Sequence, residues 1–142
     1  MIDSRLNSSW WALRLVYGLV PIVAGVDKFT NLLTDWPQYL SPLVTSMLPV
    51  SASTFMHLVG IIEIAAGVLV LTKLTRIGAY VVGAWLLAIA INLLTTGRYF
   101  DIAARDVALA VGAYVLAMLT ELRAEEREPR TAPERTTRAA GV

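Results

Sequence analysis

Cysteine is absent from these 142 residues, and histidine occurs once, as His57. Without cysteine there is no disulfide, no thiolate metal centre and no dithiol to exchange electrons with a quinone. One histidine cannot provide both axial ligands of a b-type haem within the chain. His57 and Glu63 together are too sparse a donor set for a metal, so no metal is expected. Charge is scarce as well: 16% of the residues are Asp, Glu, Lys or Arg, against about 25% in a soluble domain. There is no Gly-rich phosphate loop, no nucleophile–base constellation and no basic–aromatic surface for nucleic acid. A self-contained enzyme is not expected, and no catalytic residue is assigned.

What the chain does have is apolar sequence, 56% of it, segregated from the charges into four runs. These are Trp10 to Val26, Phe55 to Leu71, Ile77 to Thr95 and Ile102 to Leu119. Each is just long enough to cross a ~30 Å hydrocarbon core as a helix, and the last three are apolar nearly all round, unlike helices of a soluble bundle. The fold class is therefore all-α, a polytopic membrane protein: a four-transmembrane-helix bundle with a long outer loop between the first and second helices. The bundle occupies 1–120, with spans at about 10–27, 55–71, 77–95 and 102–119. Residues 121–142, with Pro129, Pro133 and mixed charges, read as a helix end followed by a disordered tail. The start, Met1-Ile2-Asp3-Ser4-Arg5, carries no cleavable signal pattern, so the first helix is expected to remain in place.

An even number of spans puts both termini on one side. That side collects Arg5, Lys73, Arg76, Arg123 and the tail arginines, whereas Lys28, Arg98 and Arg105 on the other side are matched by Asp27, Asp35, Asp101 and Asp106. The positive-inside rule makes the first side cytoplasmic. Trp10, Trp11, Trp36, Tyr99 and Phe100 fall where interfacial aromatic belts belong. Residues 29–54, apolar but punctuated by Pro37, Pro42 and Pro49, cannot form another span; they lie along the outer interface or fold over the bundle mouth.

Each span has one polar or small face. Arg14, Gly18, Pro21, Gly25 and Lys28 recur at helical spacing along the first, and Pro21 is expected to bend it. His57, Gly60, Glu63 and Gly67 share a face of the second. Gly78, Trp85, Asn92 and Thr96 align on the third, and Asp106, Ala110, Ala113 and Ala117 on the fourth. The small residues allow close backbone approach between helices. Glu63 stands at the middle of its span, where an ionised carboxylate costs at least ~2.5 kcal/mol. Its depth suggests Arg14 as partner, and Lys28 with Asp106 as a second pair toward the outer side. Either these are ion pairs that fix bundle register, or they line a polar cavity or proton path. His57, near the outer end of its helix, is expected to hydrogen-bond at the interface rather than to act as a ligand.

The pattern Arg14-Leu-Val-Tyr-Gly18, Gly25-Val-Asp-Lys28-Phe, Gly60-Ile-Ile-Glu63-Ile-Ala-Ala-Gly67 and Asp101-Ile-Ala-Ala-Arg105-Asp106 resembles the DoxX-like membrane proteins, over roughly residues 10 to 120. The resemblance implies a small four-helix protein of the bacterial cytoplasmic membrane. It also implies association with quinone-linked redox complexes or with oxidative-stress and thiol-redox proteins. Arg14, Lys28, Glu63 and Asp106 match the polar pattern of that family, and no catalytic role comes with the match. The expectation is an accessory subunit without a redox centre of its own, with quinone as its possible cofactor. It would contact the lipid bilayer and either other membrane subunits or further copies of itself. A structural or assembly subunit, with small-residue stripes packed on partner helices, and a lipid or small-molecule carrier capped by residues 29–54 are the alternatives.

Overall fold

The computed structural model describes residues 3–127, all of whose regular structure is helical. The elements are α1 (Ser4–Asp27), a 3-10 turn (Trp36–Tyr39), α2 (Pro42–Met47), α3 (Ala52–Leu71), α4 (Thr75–Thr95) and α5 (Phe100–Arg127). Four of them, α1, α3, α4 and α5, are long and apolar enough to cross a membrane. The expected bundle is therefore present. α5 continues through Arg127, past the anticipated boundary at residue 120, and the rest of the tail lies outside the described residues.

Local chemistry sets the helix ends. The side chains of Asp3, Ser41 and Ser51 accept from the first-turn amides of α1, α2 and α3, taking up donors that a helix start leaves without partners. Pro42 opens α2, where its missing N–H costs nothing. α1 runs as one helix through Pro21. The α4–α5 turn uses Gly97 and Tyr99 with φ of +68° and +60°, and the Thr96 hydroxyl donates to the Arg98 carbonyl at 2.8 Å.

Packing falls into two close helix pairs, α1 with α3 and α4 with α5. Between α1 and α3 the contact is backbone to backbone. A Cβ on Gly25 would stand 2.5 Å from the Gly60 carbonyl oxygen, and a Cβ on Gly67 would overlap the Gly18 carbonyl. Between α4 and α5 the seam is alanine: Ala79, Ala113 and Ala117 are fully buried with Leu116 and Val70, and this cluster joins the two pairs. Gly78 lies against the backbone of Leu69 and Val70. The small faces of all four spans are thus closed within the bundle, while Leu19, Val20, Val23, Ile61, Ile91 and Val111 face outward.

Candidate functional site

The glycine contacts fix the relative depth of the helices. Gly18 beside Gly67 and Gly25 beside Gly60 place Ile22 level with Glu63. Gly78 against Val70 brings Trp85 to the same level, and the Tyr17 hydroxyl, 2.6 Å from the Leu109 carbonyl, puts Asp106 there to within about one turn. α1 is therefore displaced along its axis relative to a bundle in which every span is centred. Gly18, the middle of its apolar run, meets Gly67 rather than Glu63, an offset of four residues, or ~6 Å at 1.5 Å per residue.

That offset overturns both expected ion pairs. Arg14 does not reach Glu63; it lies level with the end of α3. Its guanidinium donates to the carbonyls of Val70 (3.2 Å), Leu71 (2.6 Å) and Thr72 (2.9 Å) and stacks over Trp10 and Trp11. It thereby satisfies carbonyls that the last turn of α3 leaves open and sets a cation against the negative end of the helix. The Thr75 hydroxyl, 2.9 Å from the Val70 carbonyl, completes that cap.

The partner of Glu63 is Lys28. Nζ lies 2.6 Å from Oε2, and the two side chains are 5% and 8% exposed. The approach angle leaves Oε2 without a well-formed hydrogen bond despite the short distance. On its other side the ammonium sits 3.7 Å from the centre of the Trp36 ring, a cation–π contact. The Trp36 indole donates at 2.8 Å to Asp27, which also accepts from the amides of Leu32 and Leu33 and from the Thr30 hydroxyl, each at 3.0 Å. Asp27 thus folds the chain leaving α1 back over the end of that helix. It carries Trp36 onto Lys28.

Lys28 is therefore not paired with Asp106. The Asp106 side chain, 9% exposed, has no hydrogen-bond donor among the described residues, and its nearest cation, Arg105, stands 4.0 Å away on a largely exposed side chain. The register of α1, α3 and α5 therefore sets Asp106 within about one turn of Glu63 in depth. Trp85 Nε1 turns toward Glu63 but stops short of hydrogen-bond geometry, and it is buried with no other acceptor. One layer of the bundle therefore holds an ammonium, two carboxyl groups and an unpaired indole N–H.

Residues 29–51 fold over the bundle mouth. Asn92 pins them: its Oδ1 accepts from the Ser41 amide at 3.0 Å and its Nδ2 donates to the Tyr39 carbonyl at 2.8 Å. Trp36, Leu40, Val44 and Leu48 then pack on Met56, Val59 and Trp85. His57 stacks on Phe29, with centroids 4.8 Å apart. Trp10 and Trp36, expected at the interfacial belts, pack against the bundle. Trp10 donates to the Thr120 hydroxyl at 2.9 Å and lies under Arg123. Ala110 and Ala113 are buried as expected.

The helix pattern alone does not reveal the parts played by Asp27, Trp36 and Gly112. The first two act through an irregular loop. Gly112 leaves room for the Tyr17 hydroxyl, which a Cβ there would displace. A cavity of about 460 Å³ lies at the opposite end of the bundle, between Lys73, Arg76, Thr120 and Glu121, away from the ionic layer. No group of three or more metal-ligating side chains occurs among the described residues.

A bundle of four membrane-length helices around a buried ionic layer is the architecture of a multi-pass integral membrane protein. The family model DoxX matches residues 9–98, and the chain belongs to the DoxX family. The matched stretch includes Arg14, Lys28, Glu63 and Asn92; α5, with Asp106, lies beyond it. No curated protein and no solved structure matches the chain.

Proposed function

We propose that this DoxX-family protein is an accessory subunit associated with a quinone-linked redox complex in the bacterial cytoplasmic membrane, with both termini cytoplasmic and no redox centre of its own. The observation that supports this reading is the buried ionic layer of Lys28, Glu63 and Asp106, with Glu63 near the middle of α3. Charged groups at that depth are costly, and in membrane proteins they mark ion, proton or substrate routes more often than they serve packing alone. The four spans offer apolar outer faces to lipid and to neighbouring subunits.

Purification in mild detergent, with identification of copurifying proteins and of bound quinone, tests the association. Glu63→Gln should lower quinone-linked turnover while the complex still assembles. A chain that purifies alone, without quinone, or a variant with unchanged turnover, removes this reading. The assembly-subunit alternative cannot use the small-residue stripes, which close within the bundle, and must rest on the outward apolar faces.

A further inference from the structure

We propose that the Lys28–Glu63–Asp106 cluster binds one exchangeable proton. The inference is a charge count made at a defined depth. Lys28 supplies one positive charge and Glu63 one negative charge, in contact at 2.6 Å. Asp106 adds a second carboxyl whose side chain is more than nine-tenths buried and receives no hydrogen bond from the described residues.

The other charged groups facing the layer leave this excess in place. Asp27 is held by four donors in the loop after α1. His57, on α3, is stacked on Phe29. Arg105, on α5, brings Nε to 4.0 Å from Asp106, but its side chain is 67% exposed and solvent screens its charge. α4 contributes Trp85 and Asn92, neither of which titrates, and the 3-10 turn contributes Trp36. Two carboxylates against one ammonium would leave a net negative charge in a low-dielectric interior, where an uncompensated ion costs several kcal/mol. A proton removes that cost. It needs no cavity, and it belongs to the coupled carboxyl pair rather than to either residue alone. Trp85 Nε1, buried, unpaired and turned toward Glu63, is a donor available to that carboxylate when it is ionised. The cluster would hold this proton whether or not the chain joins a redox complex.

Infrared spectroscopy of the full-length protein in liposomes, in H2O and in D2O, reads the proton directly. At neutral pH exposed carboxyl groups are ionised, so a carboxylic-acid C=O band that shifts in D2O reports the buried one. The wild type should show one such group per chain. Asp106→Asn and Glu63→Gln each leave one carboxylate against one ammonium, and both should lose the band. Lys28→Met leaves two carboxyl groups and no cation, and the band should double. The two carboxyl variants keep side-chain size and decide the question even if Lys28→Met does not fold. A wild type without the band, or a band that survives both carboxyl variants, overturns the proposal. So does a band that appears only when sodium is withdrawn, since the cluster would then be a metal-cation site.

Discussion

Lys28 and Glu63 form the one ion pair among the described residues in which both side chains are more than nine-tenths buried, with Nζ and Oε2 2.6 Å apart. Lys28 is not easily removed alone. Lys28→Met leaves Glu63 and Asp106 without a cation, so both carboxyl groups must hold protons, and it should cost about 3–5 kcal/mol at neutral pH, whereas Lys28→Met with Glu63→Leu removes both charges and should recover most of that. The loss should also depend on pH. A folded variant that must take up a proton, which the unfolded chain releases, loses stability as pH rises. Its deficit against wild type should therefore be smaller at about pH 5 than at about pH 8. Thermal unfolding midpoints in one detergent at both pH values check this, and equal deficits would refute it.

The glycines of the α1–α3 seam should divide sharply from Gly83 of α4. Gly25→Ala places a methyl 2.5 Å from the Gly60 carbonyl oxygen, a backbone atom that can yield only if the helices separate. A loss at the upper end of the ~1–3 kcal/mol range for overpacking is expected. Gly83→Ala would meet only Ala113 Cβ at 3.5 Å and the Ala110 carbonyl at 3.6 Å, ordinary contacts. With alanine favoured over glycine in a helix by roughly 0.5–1 kcal/mol, Gly83→Ala should be neutral or stabilising. Unfolding midpoints of the two variants decide; similar losses in both would contradict the assigned seam.

The four spans, their polar faces and the interior position of Glu63 could be read from hydropathy and helical spacing, because both express the same requirement to hide polar groups from lipid. Register could not be read that way. Centring each apolar run puts Arg14 near Glu63, but depth is set by how closely backbones approach, and Gly18–Gly67 and Gly25–Gly60 contacts shift α1 by about a turn. The matching spacing of the two glycine pairs held that information. Trp36 over Lys28 was beyond reach for a different reason. Its position depends on Asp27 gathering the amides of Leu32 and Leu33, and an irregular loop has no periodicity to reveal such contacts.

Asn92 should control the cover over the bundle mouth more than the bundle itself. Its amide holds the Ser41 N–H and the Tyr39 carbonyl, the two backbone groups flanking the link between the 3-10 turn and α2. Asn92→Leu leaves both without a partner, at a cost of roughly 1–3 kcal/mol per buried group unless the segment lifts to reach water. Lifting is the expected outcome. Hydrogen exchange should accelerate across residues 36–47 while α1, α4 and α5 keep their protection, and a uniform loss of protection would show that the segment and the bundle open as one unit.

Tyr17 and Gly112 couple α1 to α5. The Tyr17 hydroxyl donates to the Leu109 carbonyl at 2.6 Å and occupies the place where a side chain at residue 112 would begin. Gly112→Ala alone forces that hydroxyl off its acceptor and should destabilise by about 1–3 kcal/mol. Tyr17→Phe alone loses one hydrogen bond, about 1 kcal/mol. In the double variant the hydroxyl is gone, and the nearest ring carbon stands 3.1 Å from the new methyl, a gap that a shift of a few tenths of an ångström relieves. The two losses should therefore not add: the double variant should be no less stable than Gly112→Ala alone, giving a coupling energy of about 1 kcal/mol or more between directly contacting groups. Unfolding midpoints across the four-member cycle measure it, and simple additivity would show that the two side chains do not meet.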